Sequence, residues 1–139
     1  MDQTAAGTDR GPVRELRLVV TAEDFDEALR FYRDALGLRE AAVFQSGNDG
    51  RVSILEAGRA TIELANPAHA AWVDEVEVGR RVAGNVRVAF AVDDAEATTR
   101  ALEHAGATVI AEPVRTPWGS LNSRLEAPAG LQLTLFAGE

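Results

Sequence analysis

The chain has no cysteine and only two histidines among its 139 residues. Without cysteine there can be no disulfide, thiolate metal ligand or cysteine nucleophile, and His69 and His104 are too few for a histidine-rich metal site. A formal charge of −8 makes nucleic acid and anionic membrane surfaces unfavourable partners. Residues 1–12 lack the apolar stretch of a signal peptide, and no apolar run is long enough to cross a bilayer. We therefore expect a cytoplasmic protein with a disordered leader over residues 1–12.

What the sequence does contain is an internal repeat with an offset of about 70 residues. Arg17 in the first segment corresponds to Arg87 in the second, and Glu63 corresponds to Thr134. A glycine follows the helical pattern in both segments. Matching offsets through a whole βα…β unit indicate duplication, which constrains the fold more strongly than any single motif.

Each segment is predicted to be a β-α-β-β-β module. Asp24 and Glu27 form a capping-box pattern at the start of the first helix, and Leu36 is the last residue of its apolar stripe. The second helix repeats this design. The predicted boundaries are module one at 13–65, a linker at 66–85 and module two at 86–137, within a single domain spanning 13–139.

Alternation along the predicted strands separates a uniformly apolar face from a mixed face. The apolar face is expected to pack under the amphipathic helices. Small residues on the mixed face, such as Ala65 and Ala89, leave room beside their polar neighbours. This favours a concave, partly enclosed surface over a sheet face open to solvent. The polar side chains on the mixed face are Arg17, Glu63, Arg87 and Thr134.

Several segments resemble the vicinal oxygen chelate superfamily, which includes glyoxalase I, bleomycin-resistance proteins, extradiol dioxygenases and methylmalonyl-CoA epimerase. Phe31–Leu38 is similar to part of the first module, and Ala89–Asp94 to the opening of the second. Two turns also match, Thr116–Gly119 and Ala127–Gly130. The resemblance covers about residues 14–137. It implies an α+β fold in which two βαβββ modules form a curved mixed sheet with helices outside.

The resemblance also implies where a metal would be held, at the first and last strands of each module. Arg17 and Arg87 occupy positions where histidine is typical, and Thr134 occupies that of a terminal glutamate, so only Glu63 matches a ligand. Arginine stays protonated and has no lone pair to offer a cation. We therefore expect no metal and no other cofactor. With three of four ligands replaced, whether the protein is an enzyme stays open.

Two interpretations of the arginine pair remain open. Arg17 and Arg87 could clamp one anion, since planar guanidinium groups match carboxylate and phosphate geometry. Alternatively, one arginine pairs with Glu63 and the other reaches solvent. Glu63 is a candidate general base, but two neighbouring arginines favour its charged form and hence a structural ion pair.

The predicted function is that of a metal-independent small-molecule-binding protein of the glyoxalase/bleomycin-resistance type, sequestering an aromatic or anionic compound. The alternative is an enzyme of the same superfamily, a lyase, isomerase or dioxygenase relative, acting on a small anionic substrate. Phe44 and Trp118 are candidates for stacking on a planar ligand, although ordinary packing explains them equally well. His69 is expected at the surface, and the resemblance implies a homodimer. The predicted ligand-binding residues are Arg17, Glu63, Arg87, Thr134, Phe44 and Trp118.

Overall fold

The computed structural model describes residues 11–138. Residues 1–10 of the expected disordered leader lie outside this range. The eight strands are β1 (Val13–Thr21), β2 (Glu40–Ser46), β3 (Gly50–Ala57), β4 (Ala60–Ala65), β5 (Val86–Val92), β6 (Thr108–Arg115), β7 (Leu121–Glu126) and β8 (Gln132–Ala137). The helices are α1 (Phe25–Leu29), continued by a π-helical segment (Arg30–Ala35), α2 (Pro67–Glu77), α3 (Ala95–His104) and a 3₁₀ turn (Pro128–Gly130).

All eight strands form one sheet in the order β2-β3-β4-β1-β5-β8-β7-β6. Its two halves repeat each other, since β1 pairs in parallel with β4 and β5 pairs in parallel with β8. The halves meet where β1 and β5 run antiparallel, with Val19 opposite Arg87 and Arg17 opposite Ala89. The predicted α+β fold with a curved mixed sheet is confirmed.

The apolar face of the sheet packs under α1 and α3, as the alternation predicts, although Leu16, Val86 and Leu131 on the same face remain 38–49% exposed. Each half has its own core cluster, because α1 packs on the first half of the sheet and α3 on the second. Burial of this apolar area supplies the main drive to fold. The buried members of the two clusters are Phe25, Leu29, Leu55 and Leu64 under α1, and Val92, Ala95, Leu125, Leu135 and Ala137 beside α3.

The first helix begins as predicted but ends differently. The Asp24 carboxylate accepts a hydrogen bond from the Glu27 amide at 3.0 Å, which caps α1. From Arg30 onward the helix is π-helical, and the Leu36 amide donates to the Phe31 carbonyl, five residues back. This wider turn rotates the apolar stripe, so Leu36 is 59% exposed rather than buried.

No helix within residues 11–138 combines the length and the apolar character needed to cross a bilayer.

Candidate functional site

A cavity of about 430 Å³ lies between the mixed face of the sheet and helix α2. All six residues predicted to bind a ligand line it. Strand alternation turns five of them away from α1 and α3, whereas Trp118 reaches the cavity from the β6–β7 turn. Small side chains leave space at the centre of the sheet, as Ala89 illustrates. The predicted residues lining the cavity are Arg17, Phe44, Glu63, Arg87, Trp118 and Thr134.

Helix α2 forms the other wall of the cavity, inside the segment predicted to be a linker. Asn66 caps it by accepting from the His69 amide at 2.9 Å, and Pro67 occupies its first turn. Gly79 follows the helix with φ of 88°, which suits glycine. These start and stop signals are visible in the sequence. The expected apolar stripe is not, because three of the four buried positions are polar: His69, Val73, Asp74 and Glu77.

A buried ion network fastens α2 to the sheet. Arg124 on β7 is fully buried and donates to Glu77 Oε1 at 2.7 Å and to Asp74 Oδ1 at 2.8 Å. Glu77 Oε2 accepts from Asn122 at 2.8 Å. Burial alone would raise the pKa of Asp74. Donation from the amides of Ala83 and Val82 and from two arginines lowers that pKa to about 2 instead.

Arg17 is held by acidic and aromatic neighbours. Its Nε donates to Glu15 at 2.9 Å, and its Nη1 lies 3.7 Å from Glu63 Oε1. The guanidinium carbon lies 4.8 Å from the centre of the Phe136 ring, within cation–π range. The ion pair expected between Glu63 and one arginine is therefore present, and Arg17 forms it.

Arg87 has a different environment, although it occupies the equivalent position. It is only 7% exposed and donates to Thr134 Oγ1 at 2.8 Å. Within residues 11–138, no carboxylate oxygen lies within 4.0 Å of its guanidinium nitrogens. The expectation that the second arginine reaches solvent is wrong, because α2 covers this part of the sheet.

The remaining donors of Arg87 open onto the cavity. In the described part of the chain, every fully buried side-chain nitrogen and oxygen has a hydrogen-bond partner. The guanidinium nitrogens of Arg87 other than Nη1 have none and must therefore be accessible from the space that the residue lines. Burial lowers the pKa of Arg87, partly offset by the charge of Glu77. Arg87 thus places a partly desolvated cation at the cavity.

Aromatic rings line the rest of the cavity. Trp72 on α2 and Trp118 in the β6–β7 turn have ring centres 5.3 Å apart. Trp118 is 36% exposed and Phe44 on β2 is 55% exposed, which places both toward the opening. Trp72 is not among the predicted residues, because α2 lies in the segment predicted to be a linker and has no apolar stripe to indicate which side faces the sheet.

His69 is buried rather than at the surface, with 8% of its area exposed. Its ring lines the cavity 5.8 Å from the ring of Trp72, and its Nδ1 lies 3.2 Å from Ser46 Oγ. Burial, reinforced by the positive charge of Arg87, lowers the pKa of His69 to about 4. The imidazole is therefore neutral near pH 7.

The side chains at the four equivalent strand positions do not fit a divalent metal. Residues 11–138 contain no group of three or more histidine, aspartate and glutamate side chains arranged to hold an ion. Glu63 supplies one carboxylate, whereas Arg17 and Arg87 add positive charge beside it.

The curved sheet built from two repeats and the cavity on its mixed face define a class of protein, and comparison with known families gives the same class. The profile of the Glyoxalase/Bleomycin resistance protein/Dioxygenase superfamily matches residues 16–135. The chain belongs to this family. Its sequence has no significant match among curated proteins.

Solved structures with the same fold share low sequence identity with this chain. A hypothetical protein from Bacillus halodurans has a TM-score of 0.67 at 18% identity, covering 88% of this chain and 92% of that chain. Methylmalonyl-CoA epimerase from Mycobacterium tuberculosis has a TM-score of 0.67 at 20% identity, covering 94% and 91%. A variant of the Streptomyces coelicolor epimerase, in complex with 2-nitronate-propionyl-CoA, has a TM-score of 0.66 at 20% identity, covering 92% and 96%. At these identities the likeness establishes the fold alone.

Proposed function

We propose that this protein binds a small aromatic anion without a metal, in the manner of a binding member of its family. The observation that carries this proposal is Arg87, a buried guanidinium with no carboxylate within 4.0 Å among residues 11–138 and with donors open to the cavity. A carboxylate on the ligand would supply the missing counter-charge. The cavity volume of about 430 Å³ lies within the range typical of small-molecule sites.

The other charged side chains of the site support binding of the anion by one arginine rather than by two. Arg17 is engaged by Glu15 and Glu63, so it does not act as the second half of a symmetric clamp. Glu77 is already engaged by Arg124 and Asn122. Arg87 is therefore the residue we assign to the anion, and the tryptophan pair is assigned to the aromatic part of the ligand.

Catalysis on a small anionic substrate is the second candidate. Glu63 lines the same cavity as Arg87 and could exchange a proton with a bound compound. Two of the similar structures are methylmalonyl-CoA epimerases, which are enzymes. A binding protein returns its ligand unchanged, whereas an enzyme would convert it. Loss of turnover in a Glu63→Gln variant that still binds would support catalysis.

The binding proposal can be tested by calorimetry on protein dialysed against a chelator, with benzoate and its uncharged analogue benzamide. Benzoate should bind the wild type more tightly than benzamide, and Arg87→Gln should lose about 1.5–3 kcal/mol of benzoate affinity, the range for a charged hydrogen bond. Arg59→Gln, at an exposed position in the β3–β4 turn, is the matched control and should bind like wild type.

Equal benzoate affinity in wild type and Arg87→Gln would contradict the assignment. Binding that appears only after zinc, nickel, iron or manganese is restored, and that is lost in Glu63→Ala, would overturn metal independence.

A further inference from the structure

The β2–β3 hairpin holds the ring of His69 through a chain of hydrogen bonds. Asn48 Nδ2 donates to the Ala68 carbonyl at 2.8 Å, so the amide oxygen of Asn48 points to Ser46. Ser46 Oγ donates to that oxygen at 2.9 Å. This relay fixes the position of every proton along it, because a carbonyl oxygen can only accept.

The relay determines which nitrogen of His69 carries the proton. Ser46 has one hydroxyl proton, and Asn48 receives it. Ser46 Oγ has no second proton to donate, so it can only accept a hydrogen bond from His69 Nδ1, which lies 3.2 Å away. It follows that Nδ1 carries the proton of the neutral imidazole. Nε2 is then a bare acceptor.

His69 Nε2 is accessible, and His69 lines the same cavity as Arg87. Within residues 11–138, Nε2 has no hydrogen-bond partner, although the side chain is more than nine-tenths buried. No fully buried side-chain nitrogen in the described residues lacks a partner, so Nε2 must be accessible. The His69 ring and the Arg87 guanidinium both line the main cavity. A cationic donor and a neutral acceptor therefore line the same cavity.

We infer that His69 is a specificity residue and that the ligand is an aromatic acid with a hydroxyl or N–H group in addition to its carboxylate. This inference rests on the proposed function and deepens it. Arg87 would bind the carboxylate, and His69 Nε2 would accept the ligand's second polar proton. A site built to receive a hydrogen bond discriminates strongly against analogues that cannot donate one, because its buried acceptor is then left unpaired.

The tautomer can be measured directly by nitrogen NMR. The chain has only His69 and His104, so two-bond proton–nitrogen spectra of the wild type and of His69→Phe assign the buried ring without ambiguity. We expect His69 to be neutral and protonated on Nδ1 at pH 7. In Ser46→Ala, which removes the acceptor for that proton, the tautomer population should shift toward Nε2. An Nε2-protonated ring in the wild type would overturn the inference.

Ligand preference is tested with the three hydroxybenzoates, each paired with its methoxybenzoate, and with benzoate as the reference. At least one hydroxybenzoate should bind the wild type about tenfold more tightly than its methoxy partner, the factor expected for one hydrogen bond of about 1.4 kcal/mol. His69→Phe keeps an aromatic ring but no acceptor and should abolish this preference while still binding benzoate. Ser46→Ala should reduce the preference without removing the histidine.

The outcomes separate the inference from the proposed function. Arg87-dependent binding of benzoate with no hydroxyl preference in any pair would overturn the role of His69 and leave the anion site standing. A hydroxyl preference that persists in His69→Phe would also overturn it. If no compound in the panel binds at millimolar concentration, the proposed function and the inference both fail.

Discussion

Arg17 and Arg87 occupy equivalent positions of the repeat, yet their surroundings give them different roles. Arg17 lies between Glu15, Glu63 and the Phe136 ring, so its charge is compensated within the protein. Arg87 donates a hydrogen bond to the hydroxyl of Thr134 and lines the cavity. A buried cation without an ion pair costs folding free energy, and proteins keep such groups where function requires them.

Replacing Arg87 should therefore separate stability from binding. In Arg87→Met, the free energy of unfolding should stay the same or rise by about 1 kcal/mol, because an apolar side chain of similar length removes the desolvation cost. Thr134 Oγ1 would still have Glu77 Oε1 at 3.4 Å. Urea denaturation of both proteins measures this, alongside benzoate binding, which should be lost. A decrease in stability above about 2 kcal/mol would instead make Arg87 a structural residue.

His69 predicts a specific loss of stability in mild acid. Its pKa in the folded state is about 4, below its ordinary value of 6.5. Between these values the unfolded chain binds a proton that the folded protein does not, so stability is complete above pH 6.5 and declines as the pH falls to 4. The loss attributable to His69 is about 3 kcal/mol at most.

This loss can be isolated by comparison with His69→Phe, which has no titratable group at the position. Denaturation midpoints measured from pH 7 to pH 4 should fall less steeply in the variant than in the wild type. Parallel pH profiles for the two proteins would show that the buried imidazole is not held neutral.

Strand alternation predicts which residues share a face of the sheet, while their role in ligand binding stays a prediction. Arg17, Glu63, Arg87 and Thr134 all line one cavity because each lies on the same face of a central strand. His69, Trp72 and Glu77 were not assigned to the site, since no strand pattern applies to them. Their position depends on how α2 packs, which is a tertiary property.

At the scale of elements, α2 depends on buried charge for its attachment. Arg124 on β7 links the helix to the sheet by forming ion pairs with both Asp74 and Glu77. Asp74 also binds Arg81 at 2.7 Å and the amides of Val82 and Ala83, each at 2.8 Å, which fastens the segment leading into β5. A single network therefore fixes both the cavity wall and the segment that enters the central strand.

Breaking this network from one side should be strongly destabilising. Arg124→Met leaves two buried carboxylates without their shared partner, at a cost of about 3–5 kcal/mol. Adding Glu77→Met should recover part of that loss, because one stranded carboxylate is removed with its desolvation penalty. Thermal and urea denaturation of the wild type, both single variants and the double variant complete the cycle. Additive losses would mean that the two residues are not coupled.

Prediction of α2 failed for a physical reason. A helix is recognised in sequence by an apolar stripe, but the inner side of α2 contacts a polar sheet face and carries His69, Asp74 and Glu77. In the sequence, charged residues that are buried against the sheet cannot be distinguished from charged residues on a solvent-exposed helix face. The cap at Asn66-Pro67 was the available signal, and it does not specify how far the helix extends.

At the scale of the whole molecule, both ends of the sheet are strand edges. Within residues 11–138, β2 and β6 are the outermost strands; Val43 and Phe44 on β2 are exposed, and Phe44 lines the cavity. Unpaired edges and exposed apolar side chains favour association with a second copy. We predict a homodimer, which sedimentation equilibrium at micromolar concentrations would detect. A mass near that of one 14.8 kDa chain would contradict this prediction.

The overall fold was predictable because the duplication provides two sets of sequence signals for the same module. The helix caps and the strand patterns appear in both repeats, so each repeat supports the assignment of the other. Only one wall of the cavity was predictable from the sequence. Its sheet side follows from the repeat, whereas the side formed by α2 comes from the segment between the repeats, for which no second copy exists within residues 11–138.

This asymmetry has an evolutionary consequence. In a duplicated sheet, a change in one half must remain compatible with its partner across the β1–β5 junction. Helix α2 belongs to neither half, and a substitution at the partly buried Trp72 alters the cavity without touching the core clusters under α1 and α3. New ligand preferences can therefore arise at low structural risk in the segment between the repeats. We expect relatives of this chain that have similar sheets to differ in ligand preference mainly through substitutions in the segment between the repeats.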